Sequence, residues 1–134
     1  MKKAHIALVV AEFHKEIADA MVAAAEEEAV AGGASVVIIV RVPGCFEMPL
    51  VVKKLIQKKT VDAVVVLGYI EKGKTLHGEV MGHVVCHSLM QLQLEYMKPI
   101  GFGIIGPGAT EAQARARMVV AAQCAARVAF SMIM

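Results

Sequence analysis

The chain has 134 residues, enough for one domain with its own core and too few for two of ordinary size. Lys and Arg total 14 against 12 acidic residues, and a formal charge of +2 offers neither nucleic acid nor an anionic membrane a basic surface. Apolar residues make up 57% and charged ones 19%, so part of the surface is expected to be covered by other subunits; lipid is excluded as that cover, since no uninterrupted apolar run reaches the roughly 18 to 20 residues of a spanning helix.

Residues 4–10 are apolar and rich in β-branched side chains, which predicts a strand. The run before Glu12 is too short for a signal-peptide core, so a cytoplasmic location is expected. Residues 16–31 follow as a helix with Ile17, Met21 and Ala24 or Ala25 on one face, stopped by Gly32-Gly33. Residues 35–40 are continuous and β-branched, the pattern of a strand buried on both faces, and Pro43-Gly44 breaks the run. Residues 47–58 carry Leu50, Val51, Leu55 and Ile56 at helical spacing and end in lysines, which suit a helix C-terminus. A third strand is predicted at 63–67, a long helix at 78–97 and a fourth strand at 99–105. Gly106-Pro107-Gly108 reads as a turn, and Thr110-Glu111-Ala112-Gln113 as the N-cap of the last helix.

The order β-α-β-α-β-α-β-α predicts an α/β fold: a four-stranded parallel sheet with helices on both faces, a three-layer α/β/α sandwich in which residues 1–134 form one domain. Ligands bind such folds at the carboxyl ends of the strands, so a site should draw on residues 11–14, 42–47, 68–77 and 106–110. Cys45, Cys86 and Cys124 are odd in number, widely spaced and without a C-x-x-C, so three free thiols are expected.

From Gly68 the chain reads G-x-x-x-x-G-K-T, the spelling of a nucleotide-binding P-loop. A Gly-rich turn before a helix offers backbone N–H groups to an anion, and Lys74 and Thr75 add a charge and a hydroxyl. Phosphate binding is therefore expected. An ATPase also needs an acidic residue for Mg²⁺ at the end of a neighbouring strand, where only Glu12 stands, and little chain is left to recognise a base.

The four loops together carry a resemblance. Val42-Pro43-Gly44-Cys45-Phe46-Glu47-Met48-Pro49 resembles the V-P-G-x-[FY]-[ED]-[ILM]-P signature of the lumazine synthases of riboflavin biosynthesis. Residues 63–77 are similar to a second signature, D-A-V-x-x-L-G-x-V-I-x-G-x-T-x-H, while 99–103 and 110–117 resemble P-V-x-F-G and T-x-x-Q-A-x-x-R. The likeness runs from about residue 6 to 117 and is closest to the short archaeal form.

This resemblance implies a flavodoxin-like fold. The implied transferase condenses 5-amino-6-(D-ribitylamino)uracil with 3,4-dihydroxy-2-butanone 4-phosphate to 6,7-dimethyl-8-ribityllumazine, releasing phosphate and water. Carried over by position, Gly73, Lys74, Thr75 and Arg117 would bind the phosphate, and His77 would shuttle protons. Phe13 would stack on the uracil, the backbone around Tyr69 and Ile70 would read its edge, and Cys45, Phe46 and Glu47 would hold the ribityl chain. Neither metal nor organic cofactor is implied. The implied partners are the small-molecule substrates and further copies of the chain, as a homopentamer, a decamer or a 60-subunit shell. Phe102 and Arg117 would be offered to the neighbouring subunit's pocket.

The chain also departs from the pattern. Glu71 replaces an apolar residue, Lys74 stands where Glu or Ala is usual, and His14 where Asn is frequent. After Arg117 the family's lysine is missing from an unusually apolar helix, and the extra N-terminal segment of longer members is barely present. A scaffold of the same fold with reduced catalysis is one alternative. An archaeal-type riboflavin synthase is another, opposed by Phe46-Glu47 and by residues 73–77.

Plainer roles stand beside these. Phe13 reads otherwise as a core aromatic, Glu47 as a carboxylate favoured by a helix N-terminus, and Arg115 and Arg117 as solvated charges. Lone histidines are mostly structural, so His5 and His14 receive no catalytic role. His83, Cys86 and His87 share a helical face, but no fourth metal ligand is evident and packing explains them more simply. Met81, Met90, Met97 and the Met132-Ile133-Met134 end read as adaptable packing.

Overall fold

The computed structural model describes residues 3–133. Four strands alternate with four helices: β1 (His5–Ala11), α1 (Lys15–Ala31), β2 (Ser35–Val42), α2 (Met48–Ile56), β3 (Ala63–Glu71), α3 (His77–Tyr96), β4 (Ile100–Ala109) and α4 (Glu111–Ser131). The strands are parallel and ordered β2-β1-β3-β4. This is the predicted α/β/α sandwich of flavodoxin-like type.

Period-two alternation decides which residues meet which helices. Ile6, Leu8 and Val10 of β1, with Val65 and Leu67 of β3, pack on α1 and α4. Ala7, Val9 and Ala11, with Val64 and Val66, pack on α2 and α3. The α2/α3 layer is filled by Met48, Val52, Leu55, Ile56, Val85 and Leu89, all buried, and each large side chain contributes about 1.5–3 kcal/mol. The α1/α4 layer is built on alanine, including Ala25, Ala29, Ala122, Ala126 and Ala129, which lets these helices lie close. Gly101 of β4 belongs to that close packing, because a Cβ there would collide with the Ala125 carbonyl oxygen.

The ends of α4 and α2 follow from local chemistry. Thr110 Oγ1 accepts from Gln113 N–H at 3.3 Å and Gln113 Oε1 accepts from Thr110 N–H at 2.9 Å, a reciprocal capping box. Pro49 sits in the first turn of α2 and Lys53 and Lys54 in its last, as dipole and donor geometry favour.

Three expectations need correction. Residues 35–40 were expected to be buried on both faces, but β2 is an edge strand with Val37, Ile38 and Ile39 exposed. Gly106-Pro107-Gly108 was expected to be a turn, yet β4 continues through it to Ala109. Positive φ at Gly106 and Gly108 carries the chain through a register shift, after which Ala109 pairs with Glu71 and accepts from Lys72 N–H at 2.8 Å. Of the methionines read as packing, Met81 is half-buried, while Met90, Met97 and Met132 are exposed and Met134 lies outside the described residues.

The chain leaves β1 towards β2 and returns to β3 on the other side. The carboxyl ends of β1 and β3 therefore flank the point where the strand order reverses, the usual place for a ligand crevice.

Candidate active site

A cleft of about 280 Å³ opens at that point, lined by Phe13, Gly44, Cys45, Tyr69, Ile70, Glu71, Gly73, Thr75, His77, Gly78 and Met81. Phe13 follows the end of β1 and is 58% exposed, so it is not a core aromatic and its ring is free to take a partner. His77 opens α3, and its ring lies edge-on to that of Phe46, centroids 5.9 Å apart. Phe46 is itself 43% exposed. Two separate loops thus bring an aromatic and an imidazole to one cleft, and Phe46 touches the imidazole without lining the cleft itself.

The signature around Gly44 has a structural basis. Cys45, Phe46 and Glu47 form a single 3-10 turn leading into α2, with Glu47 N–H donating to the Gly44 carbonyl at 3.2 Å. The Cys45 thiol packs under the cleft, where a Cβ on Gly68 would lie 3.1 Å from its sulfur. Burial pushes that thiol up to about 12, which makes it a wall rather than a nucleophile. Glu47 is exposed and makes no capping bond, so its carboxylate is not used by the helix that it precedes. Tyr69 donates its hydroxyl to the Ala109 carbonyl at 3.0 Å, and burial raises its phenol above the ordinary range. That bond ties β3 to the far end of β4.

A second cleft, of about 470 Å³, adjoins the first and shares Glu71, Gly73, Thr75 and Gly78 with it. Its remaining lining includes Lys72, Lys74, Glu79, His83, Pro107 and Gly108. The 20-residue α3 points its N-terminus here, and Thr75 Oγ1 accepts from His77 N–H at 3.3 Å, which fixes the loop against the helix. Gly82, one turn on, faces Pro107 so closely that a Cβ would come within 2.6 Å of the ring.

The P-loop spelling does not become a P-loop. Its first glycine, Gly68, is buried inside β3, and the chain stays a strand to Glu71, leaving only residues 72–76 between strand and helix. Glu12, the one candidate for a magnesium carboxylate, instead accepts from Arg41 Nη1 at 3.2 Å.

Four expected residues line neither cleft: Phe46 and Glu47, in the turn after the lining residues Gly44 and Cys45, and Phe102 and Arg117, which lie farther away. Arg117 lines a groove with Ile105, Gly106, Pro107, Gly108, Ala109 and Gln113, and Phe102 on the edge strand β4 is half-buried against the α2/α3 layer. Neither lines the cleft of Phe13 and His77.

His14 and Glu71 were not among the expected site residues, yet they meet at its rim, His14 Nε2 standing 3.4 Å from Glu71 Oε2. Their separation by 57 positions hides the pair in a linear reading. Met81 also lines the cleft, having been read only as packing. Among the described residues no three His, Cys, Asp or Glu side chains are grouped as a metal ion would need; His83 instead lies 3.9 Å from Glu79. No helix among them is long and apolar enough to cross a membrane.

Comparison with known proteins bears on this geometry. A family model described as 6,7-dimethyl-8-ribityllumazine synthase matches residues 3–134. A protein of that name from Saccharolobus islandicus (strain L.S.2.15 / Lassen #1) is 39% identical over 132 residues, covering 98% of this chain and 86% of the relative. One from Saccharolobus solfataricus is 38% identical over the same shares, and one from Methanocaldococcus jannaschii 44% identical over 114 residues, 85% of this chain and 81% of the relative. With nearly the whole chain covered, the cleft and its signatures included, the chain belongs to the 6,7-dimethyl-8-ribityllumazine synthase family.

Proposed function

We propose that the chain is a lumazine synthase, joining 5-amino-6-(D-ribitylamino)uracil to 3,4-dihydroxy-2-butanone 4-phosphate. The observation that carries this reading is the meeting of Phe13, His77 and the 73–75 loop in adjoining clefts at the strand-order reversal. Phe13 stacks on the uracil, and the main chain at Tyr69 and Ile70 meets the ring edge. The turn of Cys45, Phe46 and Glu47 receives the ribityl chain, with the Glu47 carboxylate accepting hydroxyl protons. Gly73, Lys74 and Thr75 take the phosphate at the positive end of α3, and Lys74 adds a charge to that end.

The chemistry needs protons moved rather than a protein nucleophile. The substrate's amine attacks the ketone, water and phosphate leave, and the ring closes with loss of a second water. His77 stands at the cleft mouth to accept and return protons during these steps. Most of the rate comes from holding two substrates together, since effective molarity supplies what a strong catalytic group otherwise would. In this reading the site lies between neighbours of a homopentamer in the cytoplasm. Phe102 and Arg117 complete the adjacent subunit's cleft, Arg117 clamping the phosphate in bidentate fashion. Decamers and 60-subunit shells are closed forms built from such pentamers.

Purified protein mixed with both substrates at neutral pH, without ATP, is expected to produce lumazine fluorescence well above the uncatalysed rate. A folded, assembled protein that gives only the background rate contradicts the reading and favours a scaffold of the same fold.

A further inference from the structure

His14 does not use its side chain for the helix end that it occupies. It is the N-cap residue of α1 and its carbonyl accepts from Ala18 N–H at 2.8 Å, but its ring makes no capping bond. The ring is turned to the cleft rim instead. Nε2 stands 3.4 Å from Glu71 Oε2, and Nδ1 faces Glu111 Oε1 at 3.9 Å. The closer contact makes Nε2 the donor, towards Glu71. Glu111 is already engaged, accepting from Arg115 Nε at 2.9 Å, and Arg115 also reaches Glu16 at 3.2 Å.

The same imidazole braces two aromatic rings. Phe13 meets it edge-on, centroids 4.8 Å apart at 89°, and Tyr69 lies at 5.2 Å on its other contact. An exposed phenyl ring ordinarily turns among rotamers, and a ligand that stacks on it must stop that motion at a cost in affinity. A ring already held edge-on presents its face without that cost. A side-chain contact as exposed as that of His14 with Glu71 adds little to stability, so fold stability alone is a poor explanation for the arrangement.

We propose that His14 is a positioning residue for the aromatic substrate: anchored on Glu71, it holds the Phe13 ring ready to stack. The proposal rests on the lumazine synthase reading and deepens it at one subsite. Glu71 and His14 are 57 positions apart in the chain, and here they are one contact.

The test is calorimetric binding of 5-amino-6-(D-ribitylamino)uracil alone, with KM for each substrate, in the wild type, H14A and H14Q. H14A is expected to weaken uracil binding about fivefold, the cost of immobilising one freed side chain. KM for the uracil should rise in step, while KM for the four-carbon phosphate and the thermal midpoint stay within error. H14Q, whose amide N–H can replace the donor to Glu71, should recover most of the affinity. Equal uracil binding by wild type and H14A overturns the proposal alone, as does a rise in both KM values together with a fall in thermal midpoint. H14Q as weak as H14A removes the Glu71 anchor from it. Wild-type protein that does not bind the uracil overturns the functional reading and the proposal with it.

Discussion

The β1/β3 end of the sheet and the β4/α4 side hold the proposed site residues in different ways. At the first, Phe13 and His77 line one cleft beside the loop of Gly73 and Thr75, within a single chain. At the second, Phe102 and Arg117 stand away from that cleft, one on an edge strand and one beside its own groove. Most of the proposed residues thus gather at one end of the sheet while Phe102 and Arg117 stand apart, the arrangement that the proposed site between neighbouring copies calls for. The exposed Val37, Ile38 and Ile39 of β2 and the exposed Val120 and Val128 of α4 are the kind of surface that a neighbour would cover.

The difference can be broken most severely at Gly101, where α4 rests on the sheet. Gly101→Ala forces a methyl group into the Ala125 carbonyl, and denaturant unfolding should show a loss of about 3 kcal/mol. Next come the two walls separately. Arg117→Ala should raise KM for the four-carbon phosphate about thirtyfold, the scale of a lost charge-assisted pair, and leave the uracil's KM alone. Phe13→Ala should do the reverse, about tenfold, by removing a stacking face. Parallel changes in both constants for both variants would erase the division of labour.

A smaller effect is expected at the proton shuttle. His77→Ala should lower kcat about tenfold without abolishing turnover, because bringing the substrates together does more than the imidazole. Turnover unchanged within error would remove His77 from the chemistry.

The smallest effect lies beneath the cleft. The Cys45 thiol, raised by burial to about 12, favours the folded state fully below the pKa of about 8.5 of an unfolded thiol, and that contribution falls as pH climbs towards 12. Disulfide-exchange reagents at pH 8 should therefore leave Cys45 unmodified until denaturant is added. Rapid labelling of the native protein at this position would show that the 3-10 turn opens.

Much of this fold was legible because strands and helices differ in period. Ile6, Leu8 and Val10 against Ala7 and Val9 divide by alternation, and Thr110 with Gln113 announces a cap that forms as written. The position of β2 was not legible, since a β-branched run reads alike at the centre of a sheet and at an edge whose cover comes from elsewhere. The Gly-Pro-Gly segment was misread for a similar reason: the residues that end strands also permit the detour that keeps β4 paired to Ala109. In the site, Cys45 and His77 fall inside signatures and Phe13 follows from the whole-chain resemblance, but His14 could not, because a lone histidine acquires meaning only when Glu71 and Glu111 fold next to it.

The most direct measurement of the divided site mixes two variants. A chain carrying Phe13→Ala and His77→Ala lacks the cleft wall, and one carrying Arg117→Ala lacks the contributed arginine. Unfolded together in equal amounts and reassembled, they should recover about a quarter of the wild-type rate, since that share of interfaces pairs an intact cleft with an intact Arg117. A rate no higher than the average of the two variants reassembled alone would mean that each chain builds its site by itself, and would contradict the account.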